Sequence, residues 1–283
     1  MLSFTKRSRL RRIKIGENMA LLNEHAGIKS NKKLSDKLFL LKLESPRLAG
    51  VLKPGQFVHA KIPGMPDKIL RRPFSVYSYD STLGEIEILY QVVGGGTERL
   101  CTVAAGEIVE CIGPIGNGWT APEACKRALI IGGGVGAAPV YELTRSLVQG
   151  GSKVDVVLGA QSESMLVCRD RYSELSPMSL KCSTDDGSFG HHGFCTDLVK
   201  ENLEDCKRDT NLKYDYVACC GPVPLMRAVW DIAKAYDVPV QVSLEKRMAC
   251  GIGACLSCVV DTKYKKRRVC VQGPVFSPEV LQW

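Results

Sequence analysis

The chain has 283 residues, of which 45% are hydrophobic and 24% are charged. This length predicts two domains with a small appendage, and the composition excludes extensive disorder. The formal net charge of +8 is concentrated, because residues 1–18 hold six basic side chains and one acidic side chain, a net of +5 that leaves +3 for the rest. So small an excess argues against nucleic acid as a ligand.

The sequence also argues against membrane insertion and export. Its longest uncharged run, residues 128–141, contains four glycines and falls short of the ~20 apolar residues that span a bilayer. The basic start lacks the apolar stretch of a secretory signal. We therefore expect a cytoplasmic protein that contacts no membrane, with residues 1–26 as a basic extension. A mitochondrial targeting signal is the alternative interpretation of this Arg-rich segment.

Residues 27–123 consist of short apolar segments separated by glycine and proline. The clearest is residues 86–92, where apolar or aromatic side chains at every second position alternate with Glu87, Leu89 and Gln91, as in a half-buried strand. Residues 38–43, 56–60 and 107–111 extend the pattern. Together they predict a small antiparallel β-barrel.

Two motifs in this barrel fit a flavin dinucleotide. Such a cofactor needs a cation for its pyrophosphate, an apolar or aromatic wall, and a hydroxyl or amide near the ring nitrogens. Arg72, Phe74 and Ser75 offer these groups within four residues. Residues 94–97 follow a strand with three glycines, whose N–H groups can hold phosphate. Taken alone, the first motif could be a strand with an exposed arginine and the second a flexible turn.

Residues 124–245 alternate between buried strands and amphipathic helices. Strand 128–131, helix 140–149 and strand 153–158 predict a βαβ unit. Helix 196–206, strand 214–219 and helix 224–236 continue the alternation. These residues therefore predict a parallel α/β domain.

The turn after the first of these strands predicts a nucleotide site. Its glycines are Gly132, Gly133, Gly134 and Gly136, placed where backbone N–H groups and a helix dipole favour phosphate. The second strand lacks the acidic residue of the dinucleotide fingerprint, which favours a ferredoxin-reductase-like domain over a Rossmann dehydrogenase. Residues 159–164 contain no Arg or Lys for a 2′-phosphate, so NAD is expected over NADP.

Cys220 follows another strand of this domain, at the edge where ligands collect in parallel sheets. It is a candidate for a place beside the nicotinamide and the flavin. The alternative is a buried thiol at a strand end next to a Gly-Pro turn.

Residues 246–283 are too short for a core of their own. They contain four of the thirteen cysteines, Cys250, Cys255, Cys258 and Cys270. The Cys-x4-Cys-x2-Cys spacing is typical of plant-type 2Fe-2S ferredoxins, and the glycines between the first two cysteines allow the backbone to wrap closely. Structural zinc is the alternative, but it favours paired Cys-x2-Cys units, and only one such pair is present.

The motifs gain meaning in combination. NAD exchanges electrons as a hydride pair, a 2Fe-2S cluster passes them singly, and a flavin can do both. The chemically sensible order is therefore NAD, flavin, cluster. We find no acid-base constellation for an organic substrate, so a partner must supply it.

In these motifs the sequence resembles the electron transfer subunits of class 1B dihydroorotate dehydrogenases, within the ferredoxin-NADP reductase superfamily. The resemblance runs from about residue 27 to 276 and rests on residues 72–75, 96–97, 132–139, 184–188, 220–222, 245–258, 270 and 273–276. It implies that the four cysteines bind the cluster. It also implies FAD contacts at Arg72, Pro73, Phe74, Ser75, Leu89, Tyr90, Gln91, Gly96 and Thr97.

The same resemblance implies a partner, an FMN-containing dihydroorotate dehydrogenase catalytic subunit, in a heterotetramer with two copies of each subunit. Electrons would pass from that FMN through the cluster and FAD to NAD in pyrimidine (UMP) biosynthesis. One alternative keeps this order but serves another NAD(P)H-linked oxidoreductase, of the ferredoxin or sulfide type. The other is a zinc-stabilised nucleotide-binding module without redox activity. The extension before Met19, and Ser257 where glycine is commoner, depart from the family pattern.

Overall fold

A computed structural model describes residues 21–208 and 212–283, apart from the side chain of residue 207. Most of the predicted basic extension, residues 1–20, lies outside the described residues. Within the described ranges, no helix has both the length and the apolar character that a membrane crossing needs.

The first domain is a seven-stranded antiparallel sheet. Its strands are β1 (Leu22–Lys33), β2 (Leu38–Glu44), β3 (Phe57–Lys61), β4 (Arg72–Ser75), β5 (Ser78–Asp80), β6 (Glu85–Gln91) and β7 (Ile108–Ile115), in the order β4-β3-β7-β1-β2-β6-β5. Two short helices, α1 (Pro46–Ala49) and α2 (Gly95–Leu100), lie in its connections. The rings of Phe74 on β4 and Tyr90 on β6 are 5.9 Å apart, so strands from opposite ends of the sheet approach each other. The sheet therefore curls into a half-barrel around a single core.

Strand β1 begins earlier than the domain boundary predicted at residue 27. Its first residues pair with β7, with Leu22 opposite Gly113. The polar residues Asn23, Glu24 and His25 give no strand signal in the sequence. Pairing with β7 on one side and, farther along, with β2 on the other holds this segment in the sheet, so tertiary context decides its structure.

The second domain is a parallel α/β sheet. Its elements are β8 (Arg127–Gly133), α3 (Ala137–Gln149), β9 (Lys153–Ala160), α4 (Arg169–Glu174), β10 (Ser179–Thr184), β11 (His191–His192), α5 (Cys195–Arg208), β12 (Tyr216–Cys220), α6 (Val223–Lys234) and β13 (Val240–Ser243). The five strands β8 to β10, β12 and β13, with β11, all run parallel. The predicted α/β class is confirmed.

The C-terminal segment contains β14 (Val259–Val260), β15 (Arg267–Arg268), α7 (Val269–Gln272) and β16 (Val275–Phe276). Strand β16 pairs antiparallel with β13 and completes the sheet order β11-β10-β9-β8-β12-β13-β16. Cys258, Cys270 and Phe276 belong to the same hydrophobic core as Phe57 of the barrel and Val242 of the parallel sheet. The segment therefore shares a core with both larger domains, as its length requires.

The barrel packs against α3 and α4 of the parallel domain through apolar contacts, an ion pair and cation–π stacking. Tyr77 and Leu89 of the barrel share a core with the first residues of α3. Arg171 lies 2.5 Å from a carboxylate oxygen of Glu87, and its guanidinium stacks over the rings of Tyr77 and Tyr141 at 4.7 and 5.1 Å. These contacts set the barrel beside the carboxyl ends of β8 and β12.

Candidate functional site

A crevice opens where the strand order of the parallel sheet reverses, between β8 and β12. Ligands bind at such a switch point in open α/β sheets. The loops that leave the two strands touch, because a Cβ added at Gly136 would lie 2.6 Å from the Cys220 carbonyl oxygen. A Cβ added at Gly133 would lie 2.5 Å from the Leu225 side chain. These two glycines allow the two loops to pack without side chains between them.

The other two predicted glycines have different roles. A Cβ at Gly132 would lie 2.7 Å from the Ala137 Cα, so Gly132 permits the close start of α3 against the strand. Gly134 has a φ of +57°, a conformation that favours glycine, and no described atom lies within 4 Å of where its Cβ would be. Gly134 therefore presents its backbone to the crevice, while its three neighbours shape the turn.

The crevice has a volume of about 640 Å³ and lies between the parallel domain and the barrel. Gln91 contributes from the barrel side, and Gly134, Gly221 and Pro222 contribute from the strand ends. Two carboxylates, Asp185 and Glu245, also line it, and no Lys or Arg is among its described lining residues. Desolvation by the surrounding protein raises the pKa of the Glu245 carboxyl, although the side chain is open to the crevice. This lining disfavours the dianionic 2′-phosphate of NADP and suits NAD.

Cys220 lies at the end of β12, but its thiol points under the crevice. The residue is 1% exposed, and its Sγ lies 3.5 Å from the Ser243 carbonyl oxygen as a hydrogen-bond donor. Burial raises the pKa of this thiol well above its ordinary value, so it stays protonated. Gly221 and Pro222 form the crevice wall at this position. A role for Cys220 beside the nicotinamide stays a prediction, and the geometry favours a buried strand-end thiol.

The two predicted flavin motifs come together at the β4 edge of the barrel. A Cβ added at Gly96 would lie 2.8 Å from the Arg72 Nε, so the guanidinium packs directly over this glycine. Thr97 Oγ1 accepts hydrogen bonds from the N–H groups of Val93 and Gly94 at 2.9 and 3.2 Å. Thr97 thus fixes the turn from within, while the Arg72 guanidinium lies beside the backbone of α2, where the sequence predicts a cation for phosphate.

The side chains of the predicted flavin residues divide between two faces. Phe74 and Tyr90 are buried in the barrel core, where the Tyr90 hydroxyl donates to Asn31 Oδ1 at 3.0 Å. Leu89 packs toward the parallel domain and Gln91 lines the crevice, as strand alternation requires. Leu89 is therefore buried at the domain interface, and the predicted flavin side chains that stay partly open are those of Arg72, Pro73, Ser75 and Gln91.

The cluster loop, residues 250–258, carries three of the four predicted ligands. Gly251, Gly253 and Leu256 have φ values of +69°, +84° and +62°, which turn successive N–H groups toward the inside of the loop. The Cys255 N–H donates to Cys250 Sγ at 3.4 Å. Burial alone would raise the pKa of the Cys250 thiol, but backbone N–H groups, that of Cys255 first, lower it to about 7. The loop therefore favours a thiolate at Cys250.

The fourth predicted ligand, Cys270, lies on α7. Cys270 Sγ lies 3.3 Å from Cys258 Sγ, and both residues are buried, whereas Cys255 is exposed. Among the described residues, no group of three or more His, Cys, Asp or Glu is arranged to hold a single metal ion. Paired thiols and inward N–H groups suit a 2Fe-2S cluster, whose two irons each take two protein ligands.

A residue that the sequence did not single out lies under the cluster loop. His59, on β3, is 0% exposed, and a Cβ added at Gly251 would lie 2.7 Å from its Nδ1. Burial, together with the nearby charge of Arg71, lowers the pKa of His59 to about 4, so its imidazole is neutral at pH 7. The available signal was a histidine within the otherwise apolar run from Phe57 to Ala60.

Comparison with known proteins agrees with this division into three sites. The chain matches three family models: an oxidoreductase FAD-binding domain at residues 25–119, an oxidoreductase NAD-binding domain at residues 130–231, and the iron-sulfur cluster binding domain of dihydroorotate dehydrogenase B at residues 245–282. These descriptions confirm FAD, NAD and an iron-sulfur cluster as the cofactors.

Similar proteins extend over nearly the whole chain. The dihydroorotate dehydrogenase B (NAD(+)) electron transfer subunit of Bacillus caldolyticus is 36% identical over 260 residues, 89% of this chain and 96% of the relative. The corresponding subunit of Desulforamulus reducens is 34% identical over 249 residues, 87% of this chain and 92% of the relative.

Solved structures share the same architecture. The NADH-dependent reduced ferredoxin-NADP oxidoreductase superposes with a TM-score of 0.80 at 28% identity, covering 95% of this chain and 92% of that one. A ferredoxin NADP+ reductase from Neisseria gonorrhoeae, at 16% identity and a TM-score of 0.63, covers 76% of this chain and 92% of that one and shares the fold. The chain is thus an oxidoreductase of ferredoxin-reductase-like fold, and it belongs to the family of dihydroorotate dehydrogenase B (NAD(+)) electron transfer subunits.

Proposed function

We propose that this chain carries electrons from the FMN of a dihydroorotate dehydrogenase catalytic subunit, through its 2Fe-2S cluster and FAD, to NAD+ in pyrimidine (UMP) biosynthesis. The observation that carries the proposal is that one barrel borders both other sites. Gln91 of β6 lines the nucleotide crevice, and His59 of β3 contacts the cluster loop. Strand β4, with the flavin motif, pairs with β3.

Different residues bind each of the three cofactors along this route. Gly134 and the carboxylate-bearing crevice wall receive the nicotinamide dinucleotide, and Arg72 beside Gly96 receives the flavin pyrophosphate. Cys250, Cys255, Cys258 and Cys270 hold the cluster. When bound, the flavin supplies the conversion between the hydride pair of NAD and the single electrons of the cluster. The barrel keeps the three sites in one fixed arrangement.

The cluster loop is also the part of the chain suited to meet a catalytic partner. Cys255 is exposed, and Ile252 and Leu256 beside it are 44% and 60% exposed. Apolar side chains grouped at the surface around a redox centre fit a protein interface better than solvent. Tyr264, within the basic run of residues 263–268, is exposed as well. We place the catalytic subunit on this face, in a heterotetramer with two copies of each subunit. The cytoplasmic location expected from the sequence stays a prediction.

Co-expression with an FMN-containing dihydroorotate dehydrogenase tests the proposal. We expect the two chains to co-purify at equal ratio and to reduce NAD+ with dihydroorotate, which neither chain does alone. A chain that fails to bind this partner, and instead exchanges electrons between NAD(P)H and a ferredoxin, would contradict it. That second function is favoured by the 0.80 TM-score to the ferredoxin-NADP oxidoreductase.

A further inference from the structure

His59 stands between the flavin strand and the cluster. On β3 it lies directly opposite Pro73 of β4 in the sheet register. The neighbouring Val58 and Ala60 pack in the barrel core, whereas Phe57 packs in the core that contains Cys258 and Cys270. Because strand side chains alternate, His59 shares the face of Phe57. Its ring therefore points out of the barrel, toward the cluster loop.

The ring makes a close fit with the turn that follows the first ligand. A Cβ at Gly251 would lie 2.7 Å from His59 Nδ1 and 3.2 Å from its Cγ, so only glycine leaves room for the imidazole here. Gly251 is also in the left-handed region, at a φ of +69°. The histidine and the glycine are thus complementary in shape, one residue from Cys250.

The hydrogen bonding of this ring is incomplete. Among the described residues, neither Nδ1 nor Nε2 has a hydrogen-bond partner. The backbones of Cys250 and Arg71 lie close to the ring without meeting hydrogen-bond geometry. A buried neutral imidazole carries one N–H donor and one acceptor, and leaving both unpaired is costly. A phenylalanine or leucine would fill the same space without this cost, so packing alone does not explain a histidine.

We propose that His59 is a positioning residue for the 2Fe-2S cluster, whose ring N–H donates to the Cys250 backbone carbonyl when the cluster is bound. The bond joins the strand pair β3–β4 to the first ligand of the cluster, and so fixes the cluster relative to the flavin strand. Outer hydrogen bonds of this kind orient ligands and tune cluster potentials. The inference rests on the cluster being held by the four cysteines, and it is independent of the identity of the partner.

Two variants of the full cofactor-loaded chain separate hydrogen bonding from packing. His59→Phe keeps a ring but removes the donor, and His59→Gln keeps an N–H donor. We expect His59→Phe to move the midpoint potential of the cluster to more negative values and to change its electron paramagnetic resonance spectrum. His59→Gln should remain close to the unmodified protein in both. Both variants should keep their FAD content and their NADH-to-dye activity, which do not require the cluster. Equal potentials and spectra for His59→Phe and the unmodified protein would overturn the proposal.

A measurement on the unmodified protein covers the case in which His59→Phe fails to fold. The chain has four histidines; His25 is exposed on β1, and His191 and His192 form β11, at the opposite edge of the parallel sheet from β16. With ¹⁵N-histidine labelling, nuclear magnetic resonance should show one ring N–H that is protected from water exchange and broadened when dithionite reduces the cluster. Absence of such a resonance would overturn the role of His59. Failure of the dihydroorotate assay would leave this result unchanged, so the two proposals fail separately.

Discussion

The nucleotide crevice and the cluster loop border the same barrel, yet they are built differently. The crevice is made of backbone: two parallel strands end side by side, and Gly133 and Gly136 let their loops touch. The cluster site is made of side chains: four thiols from a loop and a short helix, in a segment that shares its core with its neighbours. Sheet topology thus shapes the first site, whereas the second is shaped by a loop and a short helix that pack against the neighbouring domains.

The largest effect is expected where a single side chain carries the function. Cys255 is exposed and contributes little to the core, so Cys255→Ser should fold, bind FAD and keep NADH-to-dye activity. Electron transfer to the catalytic partner should fall to background because the cluster loses a ligand. Dye and partner assays on the same preparation check this. Cys101→Ser, at a half-buried thiol that donates to the Glu98 carbonyl as a hydroxyl also could, is the matched control. Equal loss of both activities would contradict the proposed order.

A side chain added to the backbone of the crevice should weaken NADH binding. Gly136→Val places a Cβ 2.6 Å from the Cys220 carbonyl oxygen and must push the β8 and β12 loops apart. We expect the KM for NADH to rise about tenfold or more, equivalent to about 1.4 kcal/mol of binding, with FAD content unchanged. Steady-state kinetics measure this effect. Gly150→Ala, at the far end of α3, should leave KM unchanged, and an unaltered KM in Gly136→Val would argue against this crevice as the NAD site.

The interface that holds the crevice against the barrel should give a smaller effect. Arg171→Met removes an ion pair with Glu87 and stacking on Tyr77 and Tyr141. We expect the free energy of unfolding to fall by about 1–2 kcal/mol, with a lower rate of flavin reduction by NADH. Urea unfolding and stopped-flow absorbance measure the two effects. Arg208→Met, at a side chain 77% exposed, is the control, and equal stability in both variants would contradict the role given to Arg171.

The smallest effect concerns the choice of nucleotide. Asp185 lines the crevice, where its carboxylate should repel the 2′-phosphate of NADPH. Asp185→Asn should reduce the preference for NADH over NADPH in kcat/KM by less than about tenfold. The change removes the repulsion from one carboxylate, which we expect to be worth less than the roughly 1.4 kcal/mol of a tenfold difference. Asp186→Asn, next in the chain but hydrogen-bonded to Ser188 outside the crevice, should keep the preference. A preference lost equally in both variants would point to the loop rather than to the Asp185 charge.

The sequence predicts the key residues of both regions, but not every strand around them. The cysteine spacing predicts the cluster loop because cluster ligands are side chains, and the glycine turn predicts the crevice because only glycine permits such contacts. Strand β1 begins with polar residues and is held by its neighbours, so no local pattern reveals its start. The same limit applies to β16, two residues long, whose pairing with β13 arises from a shared core.

Side-chain direction is the other limit of the sequence. Residues 86–92 predict a strand, but only the packed barrel shows that Tyr90 faces its core while Gln91 faces the crevice. Cys220 ends a strand as predicted, yet its thiol turns toward Ser243. His59 is unusual in an apolar run, but only the fold shows that Gly251 lies over it. Each of these facts depends on contacts between residues far apart in the chain.

Anaerobic reduction of the isolated, cofactor-loaded chain by NADH tests most directly whether one chain connects the crevice to the cluster loop. We predict that NADH bleaches the flavin absorbance and produces the paramagnetic resonance signal of a reduced 2Fe-2S cluster. In the Cys255→Ser variant, NADH should bleach the flavin but produce no cluster signal. Dithionite shows independently that the cluster can be reduced. Flavin bleaching by NADH in the unmodified chain, with a cluster that only dithionite reduces, would contradict the account.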